Sequence, residues 1–391
     1  MKKLLALMLA VVMLSAAILT GCGADKAADT SVASTDSSAA SSSAAEGSAA
    51  SESNAVKSVK AGFIYIGPIG DGGYTYAHDQ GRLFLEKELG SKGVTTTYLE
   101  SVPEDASVEK AMKDLIDQGC NVIFATSFGY MEYVDKVAKE YPDVKFFHCS
   151  GYMSNDKNFV NYFGRIEQTR YLSGIAAGLK TKSGKIGYVA AKQIPEVIRG
   201  INAFTLGVQS VNPTATVNVK WTDTWYDPTL EKNAATALLN DGCDVIAQHQ
   251  DTTGPQVAAE EKGAFAIGYN SDSSKAAPKA YITAPVWNWG VYYVDQVQKI
   301  LDGTWKPENY WGGLKEGVVD LAPLTANAEA GTKEKIEEVK AKILDGSFNV
   351  FAGPIKDQTG AVKIAEGATM TDEDQLSCKW FVQGVNGKID N

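Results

Sequence analysis

The sequence predicts an α/β protein made of two Rossmann-like lobes, each with a parallel sheet, and a ligand cleft between the lobes. Two observations support this fold class. Short apolar segments typical of buried strands alternate with amphipathic segments of helical spacing along the chain, and this alternation is typical of parallel sheets covered by helices on both faces. The chain also repeats itself internally, which indicates that the α/β unit occurs twice.

The internal repeat is visible at two landmarks. The segment DQGCNVI at 117–123 returns as NDGCDVI at 240–246, an offset of 123 residues (243 minus 120). The same offset places Tyr65 and Ile66 on Tyr188 and Val189. Because two landmarks share one offset and helical segments of comparable length separate them, we expect two related lobes.

The first residues are typical of an export signal. Lys2 and Lys3 precede an apolar run over 4–19, which is too short and wrongly flanked for a membrane-spanning anchor. Leu-Thr-Gly-Cys follows and ends at Cys22, a pattern that resembles the bacterial lipoprotein signal. We expect a signal peptide at 1–21, lipidation of the Cys22 thiol and anchoring to the extracytoplasmic face of the cell membrane. An ordinary secretory signal with a chance cysteine is the alternative.

The next segment predicts a disordered tether over 22–59. It consists almost entirely of Ala, Ser, Asp, Glu and Thr, which cannot bury enough apolar surface to offset the entropy of ordering. The cysteines beyond it could form disulfides outside the cytoplasm. We favour free thiols, since Cys120 and Cys243 begin predicted buried strands in which cysteine behaves as a small hydrophobic residue. The other two cysteines are Cys149 and Cys378.

The first lobe is predicted to begin with a strand, a tight turn and a helix. The apolar segment 63–66 is followed by the glycine-rich turn 67–73 and then by an amphipathic stretch. Such a turn stands at the carboxyl end of a strand, where open α/β sheets bind their ligands. Further strands are predicted at 94–99, 122–125 and 144–148, and a helix over 108–116 is capped by Gly119.

The second lobe is predicted to repeat this order. Its first strand is predicted at 185–190. Its first helix is predicted to begin at Pro195 and to end at the Asn-Pro pair 212–213. Strands are expected at 215–221, 244–247, 265–268 and 280–283. The helix 168–180 joins the lobes and 287–302 packs back on the first lobe. Farther on we expect a strand at 317–321, a charged helix at 333–344 and hairpin character at 349–362.

We therefore assign the first lobe to 60–172 plus about 287–314, and the second lobe to 173–286 plus about 315–391. The membership of the C-terminal segment is the least constrained part of this assignment.

The charge of the chain excludes one class of partner. The net charge is −10, and the four arginines, Arg82, Arg165, Arg170 and Arg199, are scattered along the sequence. A basic stripe that could neutralise phosphate backbones is missing, so nucleic acid is not an expected partner. We expect a monomer.

The loops after the strands of both lobes are expected to line one cleft. Their flat side chains are Tyr74, Phe128, Tyr130, Trp225, Tyr226, Trp287 and Trp289. Their hydrogen-bonding side chains are Asp71, Ser127, His249, Gln250, Asp251, Thr252, Asn270 and Asp272. These loops contain no arginine, so a neutral or weakly basic heterocycle fits better than a phosphate or an amino-acid carboxylate.

Structural roles are the alternative for single members of this set. Tyr76 and Trp221 are expected in the core, and Asp71 could cap the helix that follows it.

Enzyme signatures are weak. The glycine-rich turn lacks the Gly-Lys-Ser/Thr of a phosphate-binding loop and has Thr75 where a dinucleotide fingerprint has its third glycine. The segment ATSFG at 125–129 resembles a nucleophile elbow with Ala125 in place of the first glycine. A hydrolase using Ser127, with His249 as the histidine able to face it, is a remote alternative. We expect no catalytic residue, no metal site and no cofactor.

From about Lys60 to Pro354 the chain resembles the basic membrane protein (BMP) family of substrate-binding lipoproteins. The motifs that carry the resemblance are GFIYIGPIGDGGYTYAHDQGR from Gly62, TSFGYM from Thr126, IPEVIRGINAF from Ile194, WTDTWYDP from Trp221, AQHQDTTG from Ala247 and GYNSD from Gly268. The resemblance implies a type I periplasmic-binding-protein fold. It also implies a partnership with the permease and ATPase subunits of an ABC importer, to which the protein delivers a small-molecule ligand; a sensor without transport is the competing possibility.

The resemblance also implies a class of ligand. Nucleoside binders of the family carry Asp-x-Ser-Phe-Asn after the first strand, whereas this chain has Asp-Gly-Gly-Tyr at 71–74. That difference favours a free purine base such as adenine, with a nucleoside or a riboflavin-like heterocycle as the alternative. By this resemblance Tyr74, Phe128 and Trp225 would stack on the base, and Asp251, His249 and Asn270 would read its edge. The other expected contacts are Asp71, Ser127, Thr252, Asp272 and Trp287.

Overall fold

The computed structural model describes residues 58–390, which belong to one compact unit. The predicted signal peptide, Cys22 and almost all of the predicted tether lie outside these residues. The described chain contains two sheets of six parallel strands each, accompanied by helices. The predicted α/β class with two parallel sheets is confirmed.

In chain order the strands are β1 (Val59–Ile64), β2 (Val94–Leu99), β3 (Val122–Ala125), β4 (Lys145–Cys149), β5 (Phe159–Gly164), β6 (Lys185–Ala190), β7 (Thr216–Trp221), β8 (Val245–His249), β9 (Phe265–Ile267), β10 (Tyr281–Thr283), β11 (Pro285–Trp287), β12 (Tyr310–Gly312), β13 (Val319–Leu321), β14 (Ile355–Lys356), β15 (Val362–Ile364) and β16 (Val385–Asn386).

The helices are α1 (Tyr74–Leu89), α2 (Ser107–Asp117), α3 (Met131–Glu140), α4 (Ile166–Lys180), α5 (Pro195–Val211), α6 (Pro228–Asn240), α7 (Gly254–Glu261), α8 (Trp289–Leu301), α9 (Thr332–Leu344) and α10 (Asp372–Leu376). Single 3₁₀ turns lie at Gly90–Lys92 and Phe128–Tyr130.

The order of strands in the first sheet is β12-β5-β4-β3-β1-β2, and in the second β10-β9-β8-β6-β7-β16. Each sheet therefore receives one short edge strand, β12 or β16, from far along the chain. Between the sheets, β11 and β13 pair antiparallel, with Pro285 opposite Leu321 and Trp287 opposite Val319. Helix α8 packs against α1, as predicted, and α4 packs against α5 and α9. The exact lobe boundaries stay a prediction, because sheet membership alone does not define them.

Most predicted elements form where the pattern indicated, but the equivalence of the two first strands is wrong by two residues. A Cβ on Gly62 would contact Leu115 and Ile123, and a Cβ on Gly187 would contact Leu238 and Ile246. The neighbours keep the offset of 123, whereas the glycines differ by 125 (187 minus 62). The matching tyrosines gave the wrong register, since most residues of both strands are apolar and shifted registers look similar.

Strand β1 also ends at Ile64 rather than at residue 66, and four strands were missed: β5, β11, β12 and β16. The last two contain three and two residues. Such short segments carry no periodicity, and pairing with a distant edge is what makes them strands.

The four cysteines of the described chain are free and buried, as predicted. In residues 58–390 we find no helix with the length and hydrophobicity needed to span a bilayer.

The contact between α4 and α5 is exceptionally close. A Cβ on Gly207 would lie 2.0 Å from the carbonyl oxygen of Tyr171, and one on Gly174 would lie 2.1 Å from the carbonyl oxygen of Phe204. The two helices therefore touch through their main chains, which requires glycine at the contact.

We predict that Gly207→Ala lowers the free energy of unfolding by about 1–3 kcal/mol, because the added methyl group forces the helices apart. The midpoint of urea unfolding measures this loss. Gly90→Ala is the control: its φ is −57° and no atom lies within 4 Å of the added carbon, so no loss is expected. Equal midpoints for wild type and Gly207→Ala would contradict the close contact.

Candidate functional site

A cavity lies between the carboxyl ends of the two sheets, where the sequence placed the ligand cleft. It contains about 310 Å³ of space not filled by atoms, part of it continuous with solvent. Six of the predicted site residues line it: Tyr74, Ser127, Phe128, Trp225, His249 and Asp251. Four residues that the prediction did not include complete the lining: Ile66, Ser150, Glu196 and Tyr269.

The aromatic walls come from both lobes. Tyr74 is the first residue of α1, Phe128 opens the 3₁₀ turn after β3, and Trp225 follows β7. The Tyr74 ring stands edge-on to His78, with centroids 4.4 Å apart and an interplanar angle of 81°. His78 in turn stacks on Trp289 at 4.7 Å and 7°. The stack with Trp289 therefore holds His78 against the Tyr74 ring.

Glu104 organises one end of the cavity and was missed by the sequence analysis. Its carboxylate accepts hydrogen bonds from Ser127 Oγ at 2.6 Å and from the Gly129 N–H at 2.7 Å. It also accepts from Trp225 Nε1 at 3.2 Å, across the cleft. Glu104 lies in the loop between β2 and α2, which looks like an ordinary solvated turn. The only signal for it was its position after the carboxyl end of a strand.

This arrangement does not resemble a serine hydrolase. The Ser127 hydroxyl donates a hydrogen bond to the Glu104 carboxylate, and His148 Nε2 lies 2.7 Å from the main-chain oxygen of Ser127. The third possible participant, His249, contacts Glu196 instead. The geometry of a nucleophile activated by a histidine is therefore not formed at Ser127.

His249 and Glu196 form a buried pair. His249 Nε2 lies 3.4 Å from Glu196 Oε1, and the hydroxyl of Ser150 donates to the other oxygen of this carboxylate. Burial lowers the pKa of His249 to about 4, although the hydrogen bond with Glu196 opposes the shift. Burial alone would raise the pKa of Glu196, but the hydrogen bond and charge of His249, the charge of Arg199 and the hydrogen bond from Ser150 lower it.

These shifts determine the tautomer of His249. A neutral imidazole beside an ionised Glu196 carries its proton on Nε2, so Nδ1 has a lone pair. Nδ1 has no hydrogen-bond partner among residues 58–390.

Asp251 is the most unusual carboxyl group of the cavity. Its side chain is buried, and the amide of Asn270 donates to Oδ1 at 3.3 Å. Burial, and then the negative charges of Asp71 and Glu231, raise the pKa of Asp251 well above its ordinary value. A ligand that donates hydrogen bonds to this carboxyl group would relieve the cost of its ionisation.

The groups facing the cavity are therefore mostly hydrogen-bond acceptors. The hydroxyl groups of Ser127 and Ser150 donate their hydrogen bonds to carboxylates, so toward the cavity their oxygens can only accept. His249 Nδ1 and the carboxyl groups of Glu196 and Asp251 add further acceptors. The arrangement favours a flat ligand with several N–H groups and disfavours an anion.

Two predicted site residues serve the main chain or an exposed loop instead of the cavity. The Asp71 carboxylate accepts from the N–H groups of Gly73 at 2.8 Å, Thr75 at 2.9 Å and Tyr76 at 2.9 Å. These contacts match the alternative that Asp71 caps α1. Asp272 is exposed and accepts from the N–H of Ser274 at 3.0 Å.

The three remaining predicted residues lie just outside the cavity lining. Thr252 donates to Glu231 at 2.5 Å. Trp287 stacks on Trp289 with centroids 4.4 Å apart, and its Nε1 donates to Asn270 Oδ1 at 3.0 Å. Asn270 thus connects Trp287 to Asp251. Direct contact of these residues with a ligand stays a prediction.

The glycine-rich turn contacts loops of the second lobe directly. A Cβ on Gly73 would lie 2.2 Å from the carbonyl oxygen of Asp251, and Ser271 Oγ donates to the Gly72 carbonyl oxygen at 2.5 Å. The two lobes therefore touch at this turn. This turn needs glycine for that approach and not for cradling a phosphate.

Residues 58–348 match the Bmp family, described as ABC transporter substrate-binding protein PnrA-like. A purine-binding protein of Brucella abortus is 45% identical over 336 residues, which cover 86% of this chain and 95% of the relative. A Haloferax volcanii protein named as a candidate ABC transporter glucose-binding protein is 36% identical over 334 residues, covering 85% and 82%. A solved ABC transporter solute-binding protein of Aeropyrum pernix superposes with a TM-score of 0.66 at 22% identity, covering 76% and 94%, and shares the fold.

We predict that His148 and His249 remain neutral from pH 8 to pH 5. Burial lowers the pKa of both to about 4, whereas an unfolded histidine titrates near 6.5. The unfolded chain therefore binds the protons first, and stability falls as the pH drops from about 6.5 to about 4, on the order of 2 kcal/mol per histidine by pH 5. NMR titration of the imidazole Cε1 protons measures the pKa values directly.

Glu196→Gln provides the control, since loss of the carboxylate that supports the imidazolium should lower the pKa of His249 further. A midpoint near 6.5 for His249 in the wild type would contradict the buried pair.

Proposed function

This chain belongs to the PnrA-like family of ABC transporter substrate-binding proteins, and from that premise we propose that it binds an adenine-like purine base in the cavity between its lobes. As a substrate-binding protein of this family it works with a small-molecule ligand and with permease and ATPase subunits. The observation that carries the proposal is the acceptor-rich lining between aromatic faces. The similarity to a purine-binding relative over most of both chains supports it.

Adenine suits the hydrogen-bonding groups of the cavity. Its exocyclic amino group donates two hydrogen bonds, and the free base also has a ring N–H. Asp251 and Glu196 accept such bonds, and His249 Nδ1 offers a further lone pair. In a base with a carbonyl oxygen in place of the amino group, the lone pairs of that oxygen would face the acceptors of the cavity. This would lower the binding free energy by about 1–3 kcal/mol.

The aromatic residues supply the remaining affinity. Tyr74, Phe128 and Trp225 are proposed to stack on the purine, which gains dispersion and offset stacking between flat faces. Asp251, His249 and Asn270 are proposed to read its edge. Weaker or indirect contributions are assigned to Asp71, Ser127, Thr252, Asp272 and Trp287.

Capture by closure is the mechanism we propose. The ligand bridges the lobes, the crossings near β11 and β13 bend, and the closed form is what a permease recognises. Glu104 and the Gly73–Asp251 contact support this mechanism because both join the lobes beside the cavity. The protein is a binding module in this proposal, and Ser127 performs no hydrolysis.

The location we propose is the extracytoplasmic face of the cell membrane. Cleavage before Cys22 and lipidation of its thiol would anchor the chain, and the tether over 22–59 would give the lobes reach. The anchored protein is proposed to act as a monomer. A sensor that reports the ligand to a membrane kinase is the competing role, and a permease gene beside this one would favour transport.

The ligand proposal is tested by calorimetry of the full chain with adenine, hypoxanthine and riboflavin. Adenine should bind with a Kd below about 10 μM, and hypoxanthine should bind at least about tenfold more weakly because it lacks the amino donor. Asp251→Asn should weaken adenine binding by about 1–3 kcal/mol, because an NH₂ group replaces a carboxylate oxygen that would accept hydrogen bonds from the base.

Asp156→Asn is the matched control, because it removes a carboxylate from an exposed loop away from the cavity. If riboflavin binds and adenine does not, the alternative heterocycle replaces the purine. If neither base binds below that limit, the purine proposal is wrong.

We predict that Gly73→Ala weakens adenine binding at least tenfold without a comparable loss of stability. The added methyl group would collide with the Asp251 carbonyl oxygen, and this collision exists only when the lobes touch. Calorimetry measures the affinity and urea unfolding the stability. Gly70→Ala, in the same turn with no atom within 4 Å of the added carbon, should bind as wild type does. Equal affinities for both variants would refute closure through this contact.

A further inference from the structure

A polar cavity lies at the start of α4, where the chain leaves the first sheet after β5. It contains about 630 Å³ of space not filled by atoms, part of it continuous with solvent. Its walls come from the first turn of α4, the segment that follows α9, and α10. It shares no lining residue with the cavity of the candidate site. We call it the α4 pocket, defined by Arg165, Glu167, Phe348, Val350, Asp372 and Gln375.

Two hydrogen-bond acceptors in the walls of the α4 pocket lack donors. Glu167, the second residue of α4, is 3% exposed, and its Oε2 has no hydrogen-bond partner within the described chain. Gln375 is 4% exposed, and its Oε1 is also without a partner among residues 58–390. Its amide nitrogen donates to the carbonyl oxygen of Met370 at 3.3 Å, so the oxygen is the free end of this amide. Buried acceptors of this kind call for a ligand with donors.

One guanidinium serves two carboxylates beside this pocket. Arg199 is held between aromatic rings, with its guanidinium carbon 5.6 Å from the ring centroid of Phe163 and 5.1 Å from that of Trp311. Its charge lowers the pKa of Glu196 and opposes the rise that burial causes in the pKa of Glu167. One positive charge therefore faces two negative charges at this point.

The other guanidinium of the pocket is already neutralised. Arg165 donates two hydrogen bonds, of 2.8 and 2.6 Å, to the two oxygens of Asp372. This pair contributes no net charge. Together with the carboxylates that share Arg199, the surroundings of Glu167 hold one more negative than positive charge, which a single positive charge on a ligand would balance.

The number of acceptors distinguishes between kinds of cation. Calcium takes about six to eight oxygen ligands, several of them from carboxylates. Among residues 58–390 no group of three or more His, Cys, Asp or Glu side chains is placed to hold a metal ion. A protonated primary amine instead carries one positive charge and three N–H donors. One carboxylate and one amide oxygen suit such a group.

The opposite wall of the pocket is apolar. It is formed by Phe348 and Val350, and the Phe348 ring packs on Tyr171 with centroids 5.1 Å apart. Ligand pockets in proteins commonly combine an apolar wall with a few polar groups that orient the ligand. A short alkyl chain would contact this wall while its terminal ammonium group reaches Glu167.

We propose that the α4 pocket binds a small primary alkylamine in its protonated form, with the ammonium group between Glu167 and Gln375. The proposal goes beyond the binding of a purine, because the two pockets share no lining residue. It assigns a second ligand class to the protein, at the point where the chain crosses from β5 to α4.

The test measures binding of n-butylamine to the full chain by calorimetry at pH 8. Butylamine should bind at least about tenfold more tightly than butyltrimethylammonium, which has the charge without N–H groups, and than 1-butanol, which has a donor without the charge. Glu167→Gln should weaken butylamine at least about tenfold, and Gln375→Met at least about threefold. Glu132→Gln is the matched control, because Glu132 is the second residue of α3 and is exposed.

The affinity for butylamine should also fall about tenfold between pH 8 and pH 6. Burial raises the pKa of Glu167 to about 7, so the carboxylate loses its charge over this range while the amine keeps its proton. Arg165 and Arg199 stay charged, and the hydrogen bonds from Arg165 lower the pKa of Asp372, which therefore stays ionised. In Glu167→Gln this pH dependence should disappear.

Absence of butylamine binding overturns the inference, and so does equal affinity for butylamine and either of the other two compounds. Wild-type affinity in both pocket variants overturns it as well. The comparison of the three compounds uses wild type alone, so it decides the question even if Glu167→Gln fails to fold. The measurements contain no purine, and their failure would leave the proposed function standing.

Discussion

The close approach between the main chain at Gly73 and the carbonyl oxygen of Asp251 is the contact on which the cleft depends. A side chain at residue 73 would begin 2.2 Å from that oxygen, so only glycine allows this separation of the lobes. At this separation Trp225 reaches Glu104, and Ser271 reaches the carbonyl oxygen of Gly72. One backbone contact thus sets the distance at which the groups of two lobes enclose a single cavity.

The cavity gains its chemical character from acid groups, of which Glu196 and Asp251 are buried. Glu104 and Glu196 accept hydrogen bonds from the hydroxyl groups of Ser127 and Ser150, and within residues 58–390 the one side-chain donor to Asp251 is the amide of Asn270. Removing carboxyl groups from water is costly unless donors replace the lost hydration. The raised pKa of Asp251, caused first by burial, shows that this replacement is incomplete in the protein alone. A ligand rich in N–H groups would supply the missing hydrogen bonds to these carboxyl groups, and this is why their burial favours a purine as the ligand.

The prediction of the site from the sequence was partly successful for a physical reason. Residues such as Tyr74, Phe128 and Asp251 follow directly after strands or turns, so their position at the carboxyl edge of a sheet could be expected. Glu196 lies in the first turn of α5, and Glu104 lies in a loop that resembles a solvated turn. Nothing in the local pattern distinguishes these glutamates from surface residues. Arg199 was noticed only as one of four scattered arginines, because the rings that surround it are distant in sequence.

By itself, the sequence determined the α/β class, the duplication, most strand and helix positions, and the family. These properties depend on local periodicity, turn residues and contiguous motifs, which can be recognised within short stretches of the sequence. Only the tertiary structure decided the register of the two first strands, the pairing of the edge strands β12 and β16, and the polarity of the cavity. The partners of Glu104 are 23, 25 and 121 residues away from it. Distances of a few ångströms between such segments decide which side chains of the cavity donate hydrogen bonds and which accept them. These distances cannot be predicted from a local pattern.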